Sequence, residues 1–314
     1  MKIVNSIRQN LRPFAMIIAM CSGVLFHSPL TTLDELTNFQ LAPSLIFGML
    51  FVTFCKVRIS DMKVSTMHIT LLLFQITMAV GSYFAMLPMG VILAQGAMIC
   101  FLAPIAMGAV AIGGILGANV ASIASYSLFC NFAIAVVAPY ILATFGNGEC
   151  TFLQIMARVA PILIAPFVAA QILKVVWRSV ADLIGRNSQI SFYLWIISMI
   201  ITLGRTTSFI LGYNGSATLF EQFGLAIIAF VACVMQFSLG RIIGRNYGET
   251  ITAGQSLGQK NTVLAVWLAQ SFLTPISSIA PTAYIIWQNV INSLQIFLHD
   301  RKARKLIHKE QNLE

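Results

Sequence analysis

The chain has 314 residues, 58% of them hydrophobic and only 9% charged, with a formal net charge of +9. Soluble domains carry about 25% charged residues, so a deficit spread along the whole length excludes a soluble domain on a single anchor and indicates a polytopic membrane protein. The six cysteines stand singly, without a CxxC or a metal-ligand spacing, and the four histidines are scattered; the pattern gives no metal or cofactor site.

From the N-terminus, Lys2, Arg8 and Arg12 precede an apolar run from Phe14 to Phe26 that no small-residue cleavage site follows. It reads as a retained first span rather than a signal peptide. The next stretch, "HSPLTTLDELTNFQ", reads as a loop. Apolar runs broken by charges, glycine or proline then give ten spans in all, near 14–27, 41–55, 67–87, 90–113, 118–142, 152–175, 190–210, 222–240, 250–272 and 277–298.

Charge placement orients these spans. With both termini in the cytoplasm, 16 of the 19 Lys and Arg residues fall on the inner side, none in an outer loop, and three (Arg158, Arg205 and Lys260) inside spans. That asymmetry is what the positive-inside rule requires. The net charge therefore reports topology and not nucleic-acid binding, and the basic tail "RKARKLIHK" reads as a cytoplasmic anchor beside anionic lipid. The expected location is a bacterial inner membrane. Five spans per half give an inverted pair: residues 1–145 form the first repeat, 146–299 the second, and 300–314 the tail. Inverted repeats around a central site are a recurring transporter plan.

The fourth and ninth spans hold equivalent positions in the two halves, and both are interrupted. The fourth carries Pro104 in mid-span with Gly108, Gly113, Gly114 and Gly117 after it; proline lacks an N–H and clashes with the preceding turn, so a break is expected. The ninth carries Gly254 and Gly258 beside Lys260 and Asn261. Backbone freed by a break must be buried in protein or line a wet cavity, and paired interrupted spans point to a midplane binding site. The bland readings are close helix packing through small residues and a lysine that snorkels to the membrane edge.

In this layout the chain resembles the bile acid:sodium symporter family. The resemblance implies ten spans in two inverted repeats, with the fourth and ninth crossing in a core domain beside a panel domain, and organic anions bound between the two. The family's ninth-span pattern Glu-x-Gly-x-Gln-Asn falls on Ser256, Leu257, Gly258, Gln259, Lys260 and Asn261, and its fifth-span polar face near Ser122 and Tyr126. Its fourth-span motif survives as Pro104, with Gly108 and Ala109 in place of Ser-Asn. Ser256 and Lys260 thus replace a sodium-binding Glu and a Gln, removing oxygens and adding a positive charge. Sodium coupling is therefore not expected. Lys260 is expected to stand in for the coupling cation, either as a tethered charge held by carbonyls at broken helix ends and by Asn261, or as a proton site.

All ten Asp and Glu residues are expected in loops, at span ends or in tails, leaving Lys260 without a carboxylate partner in the membrane. Arg205, followed by Thr206, Thr207 and Ser208, and Arg158 are candidate contacts for an anionic head group. The expected function is secondary active or facilitative transport of a small organic anion by alternating access. The alternatives are a non-transporting sensor of the same fold, a cation/proton exchanger, and an intramembrane enzyme. An exchanger needs a membrane Asp or Glu, and an enzyme needs a motif such as HExxH or paired acids; the sequence offers neither.

Overall fold

The computed structural model describes residues 18–56, 62–106, 108–148, 150–212 and 218–311. Among them the chain is all α: α1 (18–25), α2 His27–Leu36, α3 Leu41–Lys56, α4 Thr66–Met86, α5 Val91–Leu102, α6 Gly108–Ile115, α7 Val120–Phe145, α8 Phe152–Val176, α9 Arg178–Arg186, α10 Ser188–Gly212, α11 Leu219–Arg245, α12 Thr250–Gly258, α13 Thr262–Phe272 and α14 Ile279–Gln311. Five helices are long and apolar enough to cross a membrane, or six if α2 and α3, bent by 84°, count as one span. These features are compatible with a multi-pass membrane protein.

Local chemistry fixes many of the helix starts. Asn119 accepts from Ser122 N at the head of α7. Thr151 and Gln154 exchange bonds at the head of α8, as do Thr218 and Glu221 at the head of α11; both are capping boxes, which satisfy backbone N–H groups that a helix start leaves free. At the head of α4, Ser65 N donates to His68 Nδ1.

The short halves α5 and α13 form the centre. Every residue of α5 from Leu93 to Leu102, and of α13 from Thr262 to Ala269, is buried. Longer helices sheathe them: α4 and α11 pack on α5, and α14 packs on both α5 and α13. Small residues bring α11 and α12 into backbone contact: a Cβ on Gly240 would stand 2.7 Å from Ala253 O, and one on Gly244 2.6 Å from Glu249 O.

One expectation fails on this architecture. The stretch read as a loop after the first span is helical from His27 to Leu36. Pro29 lies in its first turn, where a missing N–H costs nothing, and its polar residues have partners: Thr31 Oγ1 meets Ser208 Oγ at 2.7 Å and His27 Nδ1 meets it at 3.0 Å. Helix α14 runs without a break to Gln311, through most of the stretch read as the basic tail.

Candidate functional site

The two expected breaks meet. Between α5 and α6 the chain runs extended through Ala103–Ile105, and between α12 and α13 through Gln259–Asn261. The two segments pair antiparallel at Ile105 and Lys260. Ala106 N donates to Gln259 O (2.8 Å) and Asn261 N to Pro104 O (2.8 Å), so each break supplies the other's missing hydrogen bonds. Four half-helix ends therefore converge on one point: the negative ends of α5 and α12 and the positive ends of α6 and α13.

A helix end leaves its last carbonyls without backbone partners, and at α5 each of them finds a side chain or a turn. Pro104 has no N–H for Cys100 O, which accepts instead from Gln236 Nε2 at 3.1 Å. Phe101 O accepts from Lys260 Nζ at 3.2 Å. Leu102 O and Ala103 O accept from Gln75 Nε2 at 3.3 and 3.0 Å. Lys260 is only 1% exposed, and its Nζ sits where the α5 dipole is negative; a snorkelling lysine would lie elsewhere. Its backbone N donates to Gln288 Oε1 (3.1 Å).

The remaining candidates divide between scaffold and open chemistry. Asn261 caps α13, its Oδ1 accepting from Leu264 N at 3.2 Å, so that oxygen is already engaged by backbone. Gly258 closes α12 and its carbonyl accepts from Tyr284 OH (2.8 Å); a Cβ there would strike the Phe237 ring at 2.4 Å. Gln259 Nε2 donates to Gln255 Oε1. Ser256 is buried and its hydroxyl has no partner. Gly108 opens α6 with free space around it. Tyr126 OH donates to Gln75 Oε1 (3.2 Å), and Ser122 Oγ meets His68 Nε2 (3.0 Å).

The arginine candidates separate from the crossing. Arg205 Nη1 lies 3.0 Å from Asp34 Oδ2, with side chains 7% and 0% exposed, and its guanidinium stacks over Phe39 at 5.0 Å and Phe209 at 5.9 Å. The expectation that all acids lie in loops, at span ends or in tails is thus corrected at Asp34, which the unforeseen helix α2 carries into the interior. Thr206 points the other way, accepting from Gln270 Nε2 (3.1 Å) and meeting Thr282 Oγ1 (3.3 Å), so it ties α10 to α13 and α14. Thr207 is half-buried beside it, and Arg158 is exposed on α8. Among the described residues the ion pair of Arg205 with Asp34 is the only one, so Lys260 has no carboxylate partner there.

The residues that sequence reasoning missed are amides and a phenol. Gln75 on α4 pairs with Tyr126 on α7, and Gln236 on α11 pairs with Tyr284 on α14 at 3.0 Å. Both pairs serve carbonyls at the crossing. The available signal was a lone glutamine inside an otherwise apolar span, in "LLLFQITMA" and again in "ACVMQFSLG". A scan against family models and a search of curated proteins both return no match to this chain.

Proposed function

We propose that the protein is a secondary transporter of a small organic anion, with the layout of the bile acid:sodium symporter family. Ten spans would form two inverted repeats, 1–145 and 146–299, with both termini in the cytoplasm of a bacterial cell. The observation that carries this reading is the reciprocal crossing of two broken helices with Lys260 at its centre. The matched glutamine–tyrosine pairs support the repeat: Gln75 and Tyr126 lie on the third and fifth spans, Gln236 and Tyr284 on the eighth and tenth. An inverted repeat brings such pairs to one point from opposite sides.

In this reading Lys260 supplies the positive charge that a bound cation supplies in related proteins. Its ammonium is tethered at the carbonyl end of α5 by 3.2 Å, and the oxygens a sodium ion would need are committed elsewhere: Asn261 Oδ1 to a helix cap and Gln75 Oε1 to Tyr126. Arg205 is held by Asp34 and the Thr206 hydroxyl by Thr202 O and Gln270, so of this cluster the anion would meet the half-buried Thr207. A second reading has one observation in its favour. A tethered charge cannot dissociate, so this site lacks a releasable driver ion, which suits a facilitative carrier or a non-transporting sensor of the same fold.

Uptake into proteoliposomes with a panel of organic anions, under sodium and pH gradients imposed separately, tests both. Uptake independent of sodium and lost in Lys260→Gln is the expected result. Sodium-driven uptake that Lys260→Gln leaves unchanged overturns the assignment, and saturable binding without uptake favours the sensor.

A further inference from the structure

A second buried polar assembly runs from the crossing toward Arg241. Gln255 on α12 and Gln259 in the break just after it are four positions apart, with Gln259 Nε2 donating to Gln255 Oε1 at 3.2 Å. Gln255 Nε2 donates in turn to Gln295 Oε1 at 2.7 Å, and Arg241 Nη2 donates to the same oxygen at 2.8 Å. Across from them, Gln288, Asn292 and Gln295 form one stripe along α14. Gln288 is fixed at one end by Lys260 N (3.1 Å) and Gln295 at the other by Gln255. Asn292 lies between those two fixed points.

Asn292 is 3% exposed, and neither Oδ1 nor Nδ2 has a hydrogen-bond partner in the protein. Leucine has the same branching, with two methyl groups in place of the amide oxygen and nitrogen, and would leave no polar atom unpaired there. An amide left bare on both atoms is the costly choice, and buried polar groups in native proteins nearly always have a protein or water partner. A stripe of amides alone would be a helix–helix adhesive; this one contains a member that joins nothing. Its surroundings also suit water, which needs two to four polar partners. Asn292 provides a donor and an acceptor, and the Gln255 carbonyl, which accepts only from Gln259, retains a lone pair, whereas the Gln295 carbonyl is filled by Gln255 and Arg241. Arg241 is half-buried at the far end, and no carboxylate pairs with it among the described residues.

We propose that this seam is a hydration site: ordered water bridges Asn292 to the Gln255 amide and forms a wet route from Arg241 to the backbone of Lys260. The route lets solvent, and small hydrogen-bonding guests of similar size, reach the crossing from the Arg241 end. The apolar halves α5 and α13 keep the remainder of the centre dry. The inference concerns hydration and does not depend on the transport reading, since its test involves no substrate.

The test uses the full chain in detergent micelles. Asn292→Cys and, as a dry control, Leu264→Cys on buried α13 are exposed to a small water-soluble methanethiosulfonate, and labelling is followed by mass spectrometry of the peptides. A dry site reacts only through local opening, so a thiol at 292 should label at least about tenfold faster than one at 264. Equal rates in two folded variants overturn the proposal. Asn292→Leu gives an independent reading that survives a misfolded cysteine variant. With a wet seam its melting temperature stays level or falls, because leucine displaces water without replacing its bonds. A rise of several degrees would mean that the amide was dry and orphaned, and would also overturn the proposal.

Discussion

The pairing of Arg205 with Asp34 makes a quantitative prediction that also decides whether Arg205 is free for substrate. At 3.0 Å and an effective dielectric of about 20, the attraction is about 5.5 kcal/mol before desolvation of either ion. Both side chains are buried, so removing one partner leaves an uncompensated charge, which costs about 3–5 kcal/mol, whereas replacing both by apolar groups of similar size is close to neutral. Arg205→Met and Asp34→Leu should each lower the melting temperature in detergent by roughly 10 °C, taking about 2–4 °C per kcal/mol for a chain of this size. The double variant should recover most of that loss. The assay is a double-mutant cycle on thermal unfolding, with coupling well above about 0.5 kcal/mol. If the double variant is as unstable as the sum of the singles, the pair is not structural and the argument that Asp34 occupies Arg205 fails. If the stable double variant also loses anion uptake, Arg205 has a second role at the substrate.

Other perturbations separate the parts of the crossing. Gln75→Leu frees two buried carbonyls, Leu102 O and Ala103 O, and the Tyr126 hydroxyl, and should cost about 2–4 kcal/mol in thermal or denaturant unfolding. Gln236→Leu should cost less, about 1–2 kcal/mol, because it also removes an amide oxygen that has no partner and Tyr284 keeps its bond to Gly258 O. A Gln236→Leu loss exceeding that of Gln75→Leu would contradict this accounting. Gly258→Ala drives a methyl into the Phe237 ring and should destabilise by about 1–3 kcal/mol, while Gly108→Ala enters open space and should stay within about 0.5 kcal/mol of wild type. Melting curves of the two alanine variants side by side check this contrast.

The two broken spans were legible in the sequence because their causes are local. Pro104 removes its own N–H, Gly254 and Gly258 lower helix propensity, and a lysine amid apolar residues is conspicuous wherever it folds. The long apolar helices were legible for the same reason, since a long apolar run defines a helix without reference to the rest of the chain. The segment 27–36 was not. It is too polar for a span, and only its fit against α10, through Ser208 and Arg205, buries Asp34 on a helix that is otherwise largely exposed.

By itself, then, the sequence determined where the chain breaks and that a lysine stands at one break. The tertiary structure alone decided what each free group meets. Lys260 Nζ and Phe101 O are 159 positions apart in the chain, and Asp34 and Arg205 come from helices in opposite halves. Hydrogen bonding at 3 Å depends on how those helices pack, and no local pattern encodes a partner that distant. The glutamines were visible as residues, but their task of completing carbonyls that Pro104 and the breaks leave open became readable only once α4 and α11 were seen to flank the end of α5.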